Sequence, residues 1–326
     1  MKSLCRLFLI VLSFSAVGCS APSRHFVFTY NVDVRDLPAT ARDIAVWLPV
    51  PPETAEQHVL SMAVSAPVDG RIQTEPVYGN RVWYARATGP RRRTLHITQR
   101  AEISRRPQRG FAQSADPHAP PTATENMDVF LKPNRLVPLT RRFADIAAEQ
   151  THGLSDSVAK ARVLYDYVLN RMDYDKSGHG WGRGDAIRAC DVGTGNCTDF
   201  HSLFIGLARS IGLPARFRIG FPLPPDRGRG VVAGYHCWAE FWTADHGWVP
   251  VDISEADKHP ERAEFFFGNL DENRLVCSSG RDLILPPGQK GPPVNFFIYP
   301  YVEVDGEPWD AVDYRFTFED VPGPGR

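Results

Sequence analysis

The sequence predicts an α+β protein. An all-β, sandwich-like domain over residues 25–105 should precede a run of helices followed by strands over residues 127–326. Three observations carry this. Apolar residues alternate with period two between His25 and Ile103, recur at helical spacing from Leu139 to Ile211, and return to strand-like runs beyond Pro214. The composition fits an ordinary globular chain: of 326 residues, 43% are apolar and 23% charged, which excludes a disordered, collagenous or coiled-coil protein. Lys and Arg number 37 against 38 Asp and Glu, so the net charge of -1 gives no overall field toward nucleic acid, and none is expected as a partner.

Residues 1–24 read as targeting sequence. Lys2 and Arg6 form a basic start, and Leu7 to Val17 is an apolar stretch short for a bilayer span. It ends in Ala16-Val17-Gly18-Cys19. Small residues before a cysteine resemble the lipobox of bacterial lipoproteins, which implies lipidation of Cys19 as the new N-terminus. Losing residues 1–18 removes two basic and no acidic side chains, leaving a net charge of -3. No later apolar run reaches spanning length, so the expectation is an exported soluble body tethered to a membrane of the cell envelope. Of six cysteines, Cys5 leaves with the signal and Cys19 carries lipid. Cys190, Cys197, Cys237 and Cys277 remain, with no CxxC among them. Export permits disulfides, but a chain of this size does not need them.

The first strand places Phe26, Phe28, Tyr30, Val32 and Val34 on one face. Ile44, Val46, Leu48 and Val50 make a second, ended by prolines. Gly79-Asn80 ahead of Val82-Trp83-Tyr84 signals a hairpin, and Leu95 to Ile103 continues the period. No cluster of His, Cys or carboxylates stands out here, so this domain reads as a spacer or accessory unit. Its Arg91-Arg92-Arg93 reads as a solvated turn. Residues 106–126 lack periodicity and read as a linker. Leu139, Phe143, Ile146 and Ala147 fit one helix face. Ser155 is placed to cap a second helix carrying Val158, Ala161, Leu164, Tyr165, Val168 and Met172. Tyr174 to Asn196 is a glycine-rich stretch too long for a simple connection, which suggests a functional loop. It has neither the Lys-Ser/Thr of a phosphate loop nor a dinucleotide fingerprint. Phe200, Leu203, Phe204, Leu207, Ala208 and Ile211 then define a third helix, stopped by Gly212 and Pro214. Strands follow at 217–221, 235–242 and 248–253. A tail of short strands, turned at Asp305-Gly306, closes this second domain.

Chemistry gathers in that second domain. Cys197 falls in the first turn of the third helix, where the dipole and free N–H groups favour a thiolate. Such a nucleophile needs a base, and the base needs an orienting acid. His236 begins one strand and Asp252 ends another, with a turn near 243–247 between them. If residues 243–245 form the turn, the two lie opposite each other. If 243–247 form it, 242 pairs with 248 and they are diagonal neighbours. Either odd loop puts them on one face.

Three blocks in this order, Gly195-Asn196-Cys197-Thr198-Asp199-Phe200, His236-x-Trp238-x-Glu240 and Trp248-x-x-x-Asp252, resemble the transglutaminase-like superfamily. So does the run from Leu207-Ala208-Arg209 through Gly212-Leu213-Pro214-Ala215-Arg216. The resemblance covers roughly residues 127–285. It implies a papain-like core, with a helix carrying the cysteine packed on an antiparallel sheet carrying His and Asp. It also implies Cys197 as nucleophile, His236 as base and acid, and Asp252 as orienter. The backbone N–H of Cys197 is a natural oxyanion donor. Trp181, whose indole N–H can only donate, is a candidate for the second, with Tyr174 behind it.

Competing readings exist for several of these residues. Cys197 and His201 share a helix face at i, i+4, as a zinc site would need. However, adjacent His236 and Cys237 point to opposite strand faces and no zinc-finger spacing occurs, so no metal is expected. His201 reads as a hydrogen-bonded wall residue, Asp199 as a helix cap, Glu240 as a structural ion pair and Cys237 as core. The expected function is thiol-dependent acyl transfer at an amide bond of a protein or peptide substrate, with no cofactor. Peptidase or amidase hydrolysis is favoured, and transglutaminase-type transfer to an amine is the variant. The alternative is a non-catalytic envelope binding protein on the same fold.

Overall fold

The computed structural model describes residues 23–89, 93–111 and 126–322. The targeting segment, Cys19 and most of the expected linker lie outside these residues. Six strands come first: β1 (Arg24–Val34), β2 (Asp43–Val50), β3 (Gln57–Ser65), β4 (Gly70–Thr74), β5 (Arg81–Thr88) and β6 (Leu95–Arg105), then a short β7 (Gln108–Arg109). Helices α1 (Arg141–Gln150) and α2 (Ser157–Arg171) follow, then β8 (Asp173–Tyr174), α3 (Ala186–Val192), β9 (Thr194–Gly195) and α4 (Cys197–Ser210). Next come β10 (Ala215–Pro222), β11 (Arg229–Val232), β12 (His236–Thr243) and β13 (Gly247–Val251). The chain closes with α5 (Ile253–Lys258), α6 (Ala263–Phe266), β14 (Asn269–Leu270), β15 (Arg274–Ser279), β16 (Tyr301–Val304), β17 (Glu307–Pro308) and β18 (Val312–Asp320).

The class is α+β, as the alternation and the helical spacing predict. Two five-stranded antiparallel sheets, β11-β18-β1-β6-β3 and β17-β16-β2-β5-β4, form the strand-rich part. The predicted faces are buried: Phe26, Phe28, Tyr30, Val32 and Val34 share one cluster with Ile44, Val46, Leu48 and Val50. At the far end of the chain, Asp305 and Gly306 both adopt positive φ, 52° and 89°, and turn the β16–β17 hairpin.

The expected boundary at residue 105 does not enclose these sheets. β18 pairs with Phe26 to Val34 of β1, and β16 pairs with β2, so strands from both chain ends complete the sandwich. The tail strands expected to close the second domain belong here instead, because β1 and β2 would otherwise present open, apolar edges. The buried cluster also runs without a break from β1 into α2 and α4, through Leu164, Phe200 and Phe204. The expected linker begins as structure too, since β7 pairs with β14. Two local differences are smaller. Asp156, not Ser155, caps α2, its Oδ1 accepting the Ala159 N–H at 2.7 Å. The glycine-rich stretch contains a helix, α3, capped by Asp185 and ended by Gly193 at φ 73°.

A third sheet, ordered β13-β12-β10-β15, is antiparallel and carries α4 against it. α4 is buried from Cys197 to Arg209, which fixes where its first turn meets the strands.

Candidate active site

The start of α4 is built for close approach. Asn196 caps it by accepting the Thr198 N–H at 2.9 Å, while Asp199 Oδ2 accepts the Asn196 N–H at 3.0 Å, completing a capping box. Asp199 also accepts the N–H groups of Gly182 at 2.7 Å and Gly184 at 3.1 Å, so the cap fastens the glycine-rich loop. A Cβ at Gly195 would lie 2.4 Å from Asp199 Oδ2, so the motif needs glycine there. Cys197 is the first residue of α4.

On the sheet, Trp242 pairs with Trp248 and Thr243 with Gly247, the second of the two expected registers. Asp252, one residue past β13, is then a diagonal neighbour of His236 at the start of β12. His236 Nε2 lies 2.7 Å from Asp252 Oδ2. With Nε2 on the carboxylate, Nδ1 is the imidazole atom left for the thiol. Asp252 also caps α5, its Oδ1 accepting from the Glu255 N–H at 3.1 Å and the Ser254 hydroxyl at 3.2 Å.

The electrostatics follow from burial and contact. Burial pushes the Asp252 carboxyl up, but the His236 and Arg274 charges outweigh that and hold it well below the usual carboxylate range. Burial pushes His236 down, yet the charge and hydrogen bond of Asp252 carry it up to about 9. Burial raises the Cys197 thiol, and hydrogen bonds from Cys237 and His236, with the imidazolium charge, bring it well below an ordinary thiol. The pair is therefore poised as thiolate and imidazolium. Cys237 stays a thiol, pushed well up by burial and by its bond to Cys197.

His201 and Glu240 take the expected places. His201 is fully buried and its Nε2 accepts the Ile253 N–H at 3.0 Å. Its proton therefore sits on Nδ1, 3.8 Å from Cys237 Sγ, and burial lowers its pKa to about 4, keeping the ring neutral. Glu240 binds Arg216 at 2.6 Å and Arg218 at 3.1 Å, a structural ion pair. Trp181 stands 36% exposed in the glycine-rich loop, with Lys176 Nζ 5.7 Å from its ring centre. The four described cysteines are free.

Two residues beside the site escaped sequence reasoning. The Tyr235 hydroxyl bonds Asn196 Nδ2 at 3.1 Å and Thr198 Oγ1 at 2.9 Å, bracketing Cys197 on both sides. Its position directly before His236 was the available signal. Arg274 Nη1 lies 2.6 Å from Asp252 Oδ2. Nothing local to Arg274 announces that contact.

Comparison with known proteins bears on the fold. Residues 144–253 match the sequence profile of the Transglutaminase-like superfamily. An uncharacterised protein of Haemophilus influenzae is 32% identical over 208 residues, covering 54% of this chain and 55% of its own length. One from Mycobacterium leprae is 28% identical over 138 residues, covering 39% of this chain and 46% of its own. The chain thus spans about half the length of the curated relatives it matches. Among solved structures, a candidate cysteine protease from Cytophaga hutchinsonii superposes with a TM-score of 0.59 at 15% identity, covering 94% of this chain and 93% of that one. The fold is accordingly transglutaminase- and papain-like, with a strand-rich region ahead of the core.

Proposed function

From the premise of a transglutaminase-like core at residues 144–253, we propose that this chain is a thiol-dependent acyl-transfer enzyme acting on amide bonds. Cys197 is the nucleophile, His236 the base and acid, and Asp252 the orienter. The thiolate adds to the amide carbonyl. His236 gives its proton to the leaving nitrogen as the C–N bond breaks, and a thioester remains. Water, deprotonated by the now neutral imidazole, adds to the thioester and expels the thiolate, yielding a carboxylic acid. A primary amine in place of water yields a new amide. Hydrolysis is favoured, in keeping with the name of the Cytophaga neighbour. The backbone N–H of Cys197 is one oxyanion donor and Trp181 the candidate for another. The substrate is a protein or peptide of the cell envelope, met by a protein tethered through Cys19. No cofactor enters the reaction.

The observation that carries this reading is the bond of His236 to Asp252 at 2.7 Å beside a cysteine at a helix start. One observation favours a second reading, a non-catalytic envelope binding protein: Cys197 is only 2% exposed. Incubation with envelope peptides and a labelled primary amine separates them. Free acid and free amine indicate hydrolysis, and label incorporation indicates transfer. Peptide retained unchanged, equally by wild type and Cys197→Ala, would support the binding protein.

A further inference from the structure

Arg274 lies outside the matched residues 144–253, at the start of β15. Its Nη1 is 2.6 Å from Asp252 Oδ2, the same oxygen that takes His236 Nε2 at 2.7 Å. The Arg274 side chain is 6% exposed and that of Asp252 is fully buried. Two cationic groups thus face one carboxylate oxygen in the interior, His236 as a hydrogen-bonded partner and Arg274 as an ion pair. We propose that Arg274 is a positioning residue for the site: it fixes Asp252 and, by sharing its charge, leaves the His236 imidazolium free to give up its proton. The proposal rests on the acyl-transfer reading above.

The chemistry asks for such a balance. A buried carboxylate facing imidazolium alone would hold the proton too strongly, and an acid that is too weak delivers it poorly to the leaving nitrogen. The Arg274 charge acts against protonation of His236, opposing the pull of Asp252. Other titratable groups near the imidazole are Cys197 and the neutral His201 on α4 and the Cys237 thiol on β12. Glu255 on α5 has its Oε1 4.0 Å from His236 Nε2. Around Arg274 itself, Asp271 Oδ1 lies 3.9 Å from Nε, Arg105 of β6 adds a like charge, and the Trp238 ring centre is 5.6 Å from the guanidinium.

The strand-rich region sets where Arg274 stands. β15 is one of the two edge strands of its sheet. Gln57 of β3 satisfies both backbone groups of Val276, its Oε1 accepting from N–H at 2.8 Å and its Nε2 donating to C=O at 3.1 Å. Asn80 does the same at Ser279, at 2.7 and 2.8 Å. Two amide side chains thereby stand in for a missing strand and hold the guanidinium at the carboxylate.

Histidine-labelled full-length protein, titrated by NMR through the His236 ring signals, provides the test. Removing the Arg274 charge takes away an influence against protonation of His236 that is weaker than the pull of Asp252. Arg274→Gln should therefore shift the His236 titration to higher pH than in wild type. Arg274→Lys, which keeps the charge, should titrate like wild type. Thermal melting establishes that each variant is folded. An unchanged or lowered His236 titration in folded Arg274→Gln would overturn the proposal. If the Gln variant does not fold, a shifted titration in Arg274→Lys would overturn it. The readout needs no turnover. Low-pH alkylation of Cys197 with no His236 shift would sink the role of Arg274 alone. A His236 shift with an ordinary Cys197 thiol would sink the acyl-transfer reading instead.

Discussion

Asp252 accepts from His236, Ser254 and the Glu255 backbone and is ion-paired with Arg274, so its charge serves both the site and the fold. Asp252→Asn keeps the shape and removes the charge. Amide turnover should fall by about 10⁴, by the precedent of orienting acids in other triads. Stability should fall as well, by up to about 3–5 kcal/mol, because buried Arg274 loses its short carboxylate contact and keeps the more distant Asp271 at 3.9 Å. Steady-state kinetics and urea melts measure the two losses, and intact stability would mean that Arg274 finds another partner. The pH dependence of folding needs both members of the ion pair. His236 is raised to about 9 from its ordinary 6.5, so its contribution is full below 6.5 and lost as pH rises through 9. Cys197 is depressed, so its contribution is present above about 8.5 and lost as pH falls through its folded value. Between about 6.5 and 8.5 the two slopes cancel, because the folded and unfolded states then hold the same number of protons at this pair. In Cys197→Ala the cancellation disappears. Relative to wild type its stability should drop by up to about 1.4 kcal/mol per pH unit from 6.5 to the variant's own His236 pKa, which lies below 9 because the Cys197 hydrogen bond that helps raise it is gone. Parallel curves for the two proteins would contradict the assigned protonation.

At the scale of elements, α4 and the β12–β13 hairpin were legible because their signals are local. The spacing Phe200, Leu203, Phe204, Leu207 marks a helix, Gly212 and Pro214 stop it, and an odd loop puts residues 236 and 252 on one face. α3 was missed because it is short and flanked by glycines that read as loop. β3 and β4 were passed over because much of their surface is exposed, which blurs the alternation. The clamp on β15 was beyond reach for a different reason: Gln57 and Val276 are 219 residues apart. No local pattern encodes that pairing. Gln57→Leu tests its weight. It strands a buried N–H and a buried C=O, each costing about 1–3 kcal/mol, so chemical denaturation should show a loss of at least ~2 kcal/mol. A loss within ~0.5 kcal/mol, the range of neutral surface changes, would mean that β15 does not depend on the clamp.

For the whole molecule, local alternation revealed strand content but not strand partners. Residues 25–105 look self-sufficient in sequence because nothing in β1 states that β18 lies beside it. In the structure, nine residue pairs join β1 to β18, and the apolar cluster passes from the sandwich into α4. A chain beginning at residue 106 would expose the apolar faces of β16 and β18 and lose both the Gln57 and Asn80 clamps. It should fail to give a cooperative melt or a monomeric elution profile. A folded, monomeric fragment with an intact His236 titration would show that the sandwich is separable after all.

The central claim is that Cys197 is a thiolate paired with the His236 imidazolium. Iodoacetamide labelling of the reduced full-length protein across pH, with each modified cysteine located by peptide mass, tests it most directly. Cys197 should alkylate well below neutral pH, far under the ~8.5 of a free thiol. Cys190, Cys237 and Cys277 should lag, and His236→Ala should shrink the low-pH advantage of Cys197 while the helix terminus preserves part of it. A Cys197 profile indistinguishable from those of the other three cysteines would contradict the account.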